Sequence, residues 1–229
     1  MKPMHKSESL DIRLFQIVYS DDPNQTNDPG YRVLDNRDNP RPDWREYWPI
    51  RNYLRSTKLS DTVLYGFFSP RFRAKTQLSH HQVMEITRKH RLMGADVVLF
   101  SPQPDMGSFF RHVFEQSEVF DPGMTRLAQS FFDSVKFPVQ IDRLIMDSRH
   151  VVFSNFFVAS GAFWKQWFSI TEALFNICEG REGALKQALT ESTRYPGQVQ
   201  RKVFLLERIA SVLLASQARW KTGSYNSFL

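Results

Sequence analysis

Thr62-Val63-Leu64-Tyr65-Gly66-Phe67-Phe68-Ser69-Pro70 is β-branched and aromatic up to a turn-forming Ser-Pro, the composition of a buried strand. Downstream, Ser79-His80-His81-Gln82 has the spacing of a capping box, in which hydroxyl and carboxamide satisfy the first free backbone N–H groups of a helix. That helix runs through Val83, Ile86 and His90 and stops at Gly94. Ala95-Asp96-Val97-Val98-Leu99-Phe100 is then a further strand, ending at Ser101-Pro102. Strand, helix, strand in this order predicts a mostly parallel α/β sheet flanked by helices.

Working outward, Ile12, Leu14, Phe15, Ile17, Val18 and Tyr19 form an earlier strand that runs into Ser20-Asp21-Asp22-Pro23. It delivers acids to the carboxyl edge of the sheet, where open α/β folds bind ligands. Residues 21–42, rich in Asp, Asn, Pro and Gly, read as a long functional loop. Asp43-Trp44-Arg45-Glu46 has capping-box spacing and predicts a helix start there, with Pro49 either kinking it or opening a second helix. Helices are predicted over Phe109 to Gln116 and Pro122 to Phe132, and a strand over Val151 to Ala159 with a polar Ser154-Asn155 at its centre. Trp164, Trp167, Phe168, Thr171, Phe175 and Cys178 line one side of a helix that packs on the sheet. A closing helix runs from about Val199 to Ser216. Residues 1–10 read as a flexible tail and 11–229 as one domain, a size that 229 residues allow.

Composition narrows the function classes. Hydrophobic residues at 41%, including 20 phenylalanines, supply a core. One cysteine, Cys178, excludes an intrachain disulfide and a zinc site of several thiolates, and suits a reducing cytoplasm. No apolar run reaches the roughly 18 residues of a membrane span, and no signal-peptide pattern opens the chain. The net charge of +6 favours polyanions, anionic lipid headgroups or phosphorylated ligands. Its Lys and Arg are dispersed among acids, which argues against nucleic acid as a partner. P-loop, dinucleotide, α/β-hydrolase and zincin motifs are absent. His80 and His81 occupy the first turn of a helix about 100° apart and read as exposed positions rather than metal ligands.

Polar groups at strand ends remain as site candidates. Tyr65, Ser69, Arg71, Arg73, Lys75 and Thr76 put hydroxyls and cations in and after a strand, either as a phosphate-binding set or as a solvated basic loop. His112, Glu115 and Gln116 share a helical face, and Asn155 is an amide inside an apolar run that needs partners. On the closing helix, at about 100° per residue, Glu207, Ser211 and Arg208 form a narrow polar wedge on an otherwise apolar cylinder. That wedge faces either solvent or a cleft.

In order, Tyr65-Gly66-Phe67-Phe68-Ser69-Pro70-Arg71-Phe72, then Ala95-Asp96-Val97-Val98-Leu99-Phe100-Ser101-Pro102, then Phe153-Ser154-Asn155-Phe156-Phe157-Val158-Ala159, then Val203-Phe204-Leu205-Leu206-Glu207-Arg208-Ile209, resemble segments of bacterial polysaccharide glycosyltransferases. These are enzymes of GT-A-like, Rossmann-related fold from capsule and lipopolysaccharide gene clusters. The resemblance implies transfer of a sugar from a nucleotide-sugar donor to a surface polysaccharide or lipid-linked glycan, in the cytoplasm and at the inner face of the membrane. It implies Glu207 as the base that deprotonates the acceptor, with Asp105 as second choice. Tyr65, Ser69, Arg71, Arg73, Lys75, Thr76, His112, Glu115, Gln116, Asn155 and Arg208 become substrate-binding candidates. Many GT-A enzymes hold Mg or Mn on an Asp-x-Asp; the central strand region here has none, so the implied divalent metal lacks its usual ligands and cations such as Arg71, Arg73, Lys75 or Arg208 take on the diphosphate. A non-catalytic carbohydrate- or nucleotide-binding module of the same fold is the alternative, and a small assembly domain a third.

Overall fold

A computed structural model of the protein describes residues 10–20, 28–101, 104–195, 197 and 199–225, with backbone alone at 104 and 105. Six strands form one sheet: β1 (Ile12–Val18), β2 (Arg32–Asp35), β3 (Leu64–Phe68), β4 (Val97–Leu99), β5 (Phe157–Ser160) and β6 (Thr222–Ser224), in the order β2-β1-β3-β5-β4-β6. β1 is parallel to β2 and β3, β4 is parallel to β6, and β5 is antiparallel to both β3 and β4. β5 is therefore the one reversed strand, and the other strands all run one way. The helices are α1 (Tyr47–Ser56), α2 (Phe72–Thr76), α3 (His80–Leu92), α4 (Val113–Phe120), α5 (Met124–Ser134), α6 (Gly161–Glu179), α7 (Ala184–Thr190) and α8 (Arg201–Ser216). This is the mixed, mostly parallel α/β architecture that the strand-helix-strand pattern predicts.

Local chemistry explains the framework. Ser79 and Gln82 form both halves of the expected capping box on α3, and Gly94 (φ 90) ends that segment in the left-handed region. Gly66 lies where β5 approaches β3 most closely: a Cβ there would sit 2.8 Å from Val158 Cγ2. Apolar side chains fill both faces of the sheet. On one, Phe67 and Phe157 pack with Trp44, Tyr47, Trp164 and Trp167 from α1, α6 and the turn before α1. On the other, Leu14, Phe68, Val98 and Phe156 meet Phe72 and Val83 of α2 and α3. Trp164 is fully buried, and its indole N–H donates to the Tyr65 carbonyl at 2.8 Å, so its polar atom costs nothing in the core.

Several sequence expectations need correction. Asp43 caps nothing: it lies in a 3-10 turn (Pro42–Trp44) and pairs with Arg41 and Lys202, while α1 starts four residues later, after Glu46. The long polar loop contains the edge strand β2, whose exposed side chains give no alternating apolar signal. The basic loop after β3 is the helical turn α2. The first predicted α4 boundary is too early because His112 is the N-cap, not a helical residue. The run Val151 to Ala159 is not one strand. Ser154 (φ 57) and Asn155 (φ 55) both adopt left-handed backbone, and the Phe156 amide closes on the Phe153 carbonyl at 3.1 Å, so β5 begins only at Phe157. Asp21-Asp22-Pro23 lies outside the described residues.

Candidate functional site

α8 answers the question its sequence poses, because its polar wedge faces protein and not solvent. Lys202, 2% exposed, donates to Asp43 at 2.7 Å and lies 4.1 Å over the Trp44 ring. Ser211 accepts from the Val152 amide at 2.9 Å and donates to the Val152 carbonyl at 3.3 Å. Arg208 is enclosed: Nε donates to the Val113 carbonyl at 3.1 Å, Nη1 to Phe204 at 3.0 Å, and Nη2 to Gln116 Oε1 at 3.0 Å. Burial lowers its pKa to about 10, which leaves it charged at neutral pH.

Glu207 differs from these neighbours. It is partly buried and accepts a hydrogen bond from the Ser154 amide. Burial, and then the Glu46 carboxylate, push its pKa up to about 7, against the opposing pull of Arg208, Lys75 and that amide. Two carboxylates therefore share this neighbourhood with one ammonium. Lys75 Nζ, on exposed α2, donates to Ser154 Oγ at 2.9 Å and lies 5.5 Å over Phe156. Tyr19, just past β1, bonds the Asn36 side chain just past β2, and burial together with Glu46 keeps its phenol protonated. The topology explains the convergence: Tyr19, Asn36, Ser69 and Ser101 follow the carboxyl ends of β1, β2, β3 and β4, while the reversed β5 starts at that same edge and brings Ser154 and Asn155 to it. Carboxyl edges of parallel strands are where such folds bind ligands.

The remaining sequence candidates divide. Ser69 is buried at the edge, and Arg71 and Arg73 are exposed on α2 beside Lys75. Asn155 is 3% exposed at the edge. Tyr65 lies near the amino end of β3, 1% exposed, and its hydroxyl accepts from the Ser60 amide at 3.1 Å; it serves the core. Thr76 donates to the Phe72 carbonyl at 2.9 Å and closes α2. His112 caps α4 by accepting from the Glu115 amide at 3.1 Å, and burial lowers its pKa, in keeping with a neutral acceptor. Glu115 accepts from the Arg111 amide at 2.6 Å. Gln116 and Arg208 thus join α4 to α8, while His112 and Glu115 serve the start of α4. The Asp105 side chain lies outside the described residues.

Sequence reasoning missed Glu46, Tyr19, Ser154 and Ser101. Glu46 was absorbed into a capping box that does not form, and the Ser-Asn interruption of an apolar run was the one signal for Ser154. Among the described residues no group of three or more His, Cys, Asp or Glu could hold a metal, and Glu46 with Glu207 makes only two. Two surface grooves, of about 740 and about 400 Å³, lie along α5 and the segment after it, lined by residues such as Gln129, Asp133, Val139 and Asp142, none of which is at the strand edge. Among the described residues no helix is long and apolar enough to cross a membrane.

No family model matches the chain, and no curated protein matches it. Among solved structures, a WbbM bifunctional glycosyltransferase in its apo form is similar over 95% of this chain at 11% identity with a TM-score of 0.48. The chain spans 45% of that structure's length.

Proposed function

We propose that the protein is a glycosyltransferase that moves a sugar from a nucleotide-sugar donor to a hydroxyl of a surface polysaccharide or lipid-linked glycan. The observation that carries the reading is the placement of Glu207: a partly buried carboxyl held by the Ser154 amide, on the turn that Lys75 also bonds, at the carboxyl edge of a mostly parallel α/β sheet, where burial and Glu46 push its pKa up to about 7. A group with that pKa is divided between acid and base at neutral pH, which suits proton abstraction from an alcohol. In the proposed step, Glu207 takes the acceptor's hydroxyl proton as that oxygen bonds to the anomeric carbon. The bond from the anomeric carbon to the diphosphate breaks, and the electron pair leaves with the diphosphate. Lys75, with Arg71 and Arg73 on the same short helix, neutralises the departing charge. The order of motifs resembling polysaccharide glycosyltransferases supports the donor class. The net charge of +6 supports work beside anionic membrane at its cytoplasmic face, where lipid-linked acceptors are held.

The test is a panel of UDP-, GDP-, CDP- and dTDP-sugars, with and without Mg or Mn, scored by thermal shift and by release of the nucleoside diphosphate. One donor is expected to stabilise the protein and to turn over, and Glu207→Gln to abolish turnover while donor binding persists. Turnover by Glu207→Gln at the wild-type rate removes Glu207 from the mechanism, and binding without turnover by the wild type makes the protein a binding module.

A further inference from the structure

Two buried polar atoms at the site edge have no partner among the described residues: Asn155 Oδ1 and Ser101 Oγ. Their residues are 3% and 7% exposed, and a hydrogen-bonding atom left unmet at such depth is destabilising unless something answers it. They are neighbours. Leu99 pairs with Phe157, and the Phe100 amide then bonds the Phe156 carbonyl at 2.8 Å, so Ser101 and Asn155 emerge on adjacent strand ends.

The backbone sharpens the case for Asn155. A tight turn with positive φ at both central positions is best served by Asn-Gly, because glycine alone occupies the second position without steric cost. This chain has Ser154-Asn155 there, at φ 57 and 55. A side chain is thus kept at a position where the turn itself favours none, and it is aimed into a buried place where the protein leaves it unanswered. The same turn directs the Ser154 amide at Glu207 and the Ser154 hydroxyl at Lys75. Asn155 therefore directly follows the residue that touches both the base and the cation.

We infer that Asn155 and Ser101 read adjacent hydroxyls on the glycosyl group of the donor, Asn155 Oδ1 as acceptor and Ser101 Oγ as donor or acceptor. The inference rests on the glycosyl-transfer reading above and adds a sugar-selecting subsite to it. A donor sugar fits better than the acceptor glycan because Lys75, the cation nearest the turn, faces the diphosphate to which that sugar is attached.

Isothermal titration of the wild type, Asn155→Gly and Ser101→Ala with UDP, UDP-glucose, UDP-galactose, GDP and GDP-mannose tests it. The wild type is expected to bind one sugar nucleotide more tightly than its parent nucleoside diphosphate. Each variant should lose about three- to tenfold on the sugar nucleotide and nothing on the bare nucleotide. Asn155→Gly suits the turn, so its melting temperature should equal or exceed that of the wild type; should it fail to fold, Ser101→Ala decides by the same criterion. Unchanged affinity, or equal loss on nucleotide and sugar nucleotide, overturns the subsite. Silence of the wild type toward every ligand of this panel and toward the CDP- and dTDP-sugars as well defeats the glycosyl-transfer reading itself, and the subsite with it.

Discussion

Two regions bury charge in this protein, and they treat it in opposite ways. Beneath α1 and α6, each buried charge is matched: Lys202 with Asp43, Arg41 with Asp43 and Glu179, Arg51 with Glu172 at 2.7 Å, and the Trp44 indole with Glu179 at 3.0 Å. Arg51 also stacks 3.8 Å over Phe175. At the carboxyl edge, Glu207 and Glu46 lie near each other with Arg208 and Lys75 as counter-charges, two non-glycine residues hold left-handed backbone, and polar atoms of Asn155 and Ser101 lack partners among the described residues. Stable proteins satisfy buried charge, and sites keep some of it unsatisfied for a ligand. The contrast is tightest within α8, where Arg208 is closed off by three protein acceptors and its neighbour Glu207 is not.

Substitutions that exchange the two behaviours break the comparison. The largest effect belongs to Glu207→Gln, which should lower turnover by about 10²- to 10⁴-fold. It should not lower stability above neutral pH. A carboxyl whose folded pKa lies above its unfolded value holds extra protons between the two, so the wild type loses stability as pH rises from about 4.5 through about 7. Glu207→Gln should flatten that part of the melting-temperature profile; a parallel profile would show that Glu207 titrates normally. In the matched region, Asp43→Ala strands buried Lys202 and should cost about 3 kcal/mol in urea unfolding, with little change in turnover per folded molecule. Arg208→Met removes three hydrogen bonds and leaves Gln116 Oε1 without its donor, which should cost about 2 kcal/mol, again as stability rather than chemistry. If Arg208→Met instead weakened nucleotide binding while melting normally, the division drawn along α8 would be wrong. Ser211→Ala is the smallest, at about 1 kcal/mol, for the Val152 amide it leaves without its acceptor.

The sequence made the regular elements readable where packing repeats a period. β1, β3 and β4 are apolar runs, α3 carries a full capping box, and α6 and α8 show helical spacing. Short or exposed elements carry too few apolar positions: β2 is four mostly exposed residues, and β6 is Thr-Gly-Ser. The site was legible in parts. Glu207 and Asn155 are marked in the sequence as polar residues within apolar runs, and Lys75 as one of the cations that follow a strand. Their meeting point is not legible, because it depends on the reversal of β5 and on a tight turn inside an otherwise apolar run. Arg208 and Gln116 show the limit from the other side. Both looked like ligand groups, and only the three-dimensional contact between α4 and α8 reveals that they bond each other.

The central claim, that α8 presents a partly buried carboxyl of raised pKa at the strand edge, needs no substrate to be tested. Side-chain carboxyl resonances of ¹³C-glutamate-labelled protein, assigned by comparison with Glu207→Gln, give the Glu207 titration directly. A midpoint near 7 that falls when Glu46 is changed to Gln is the predicted result. A Glu207 midpoint within the ordinary glutamate range, about 4 to 4.5, and insensitive to Glu46→Gln would contradict it.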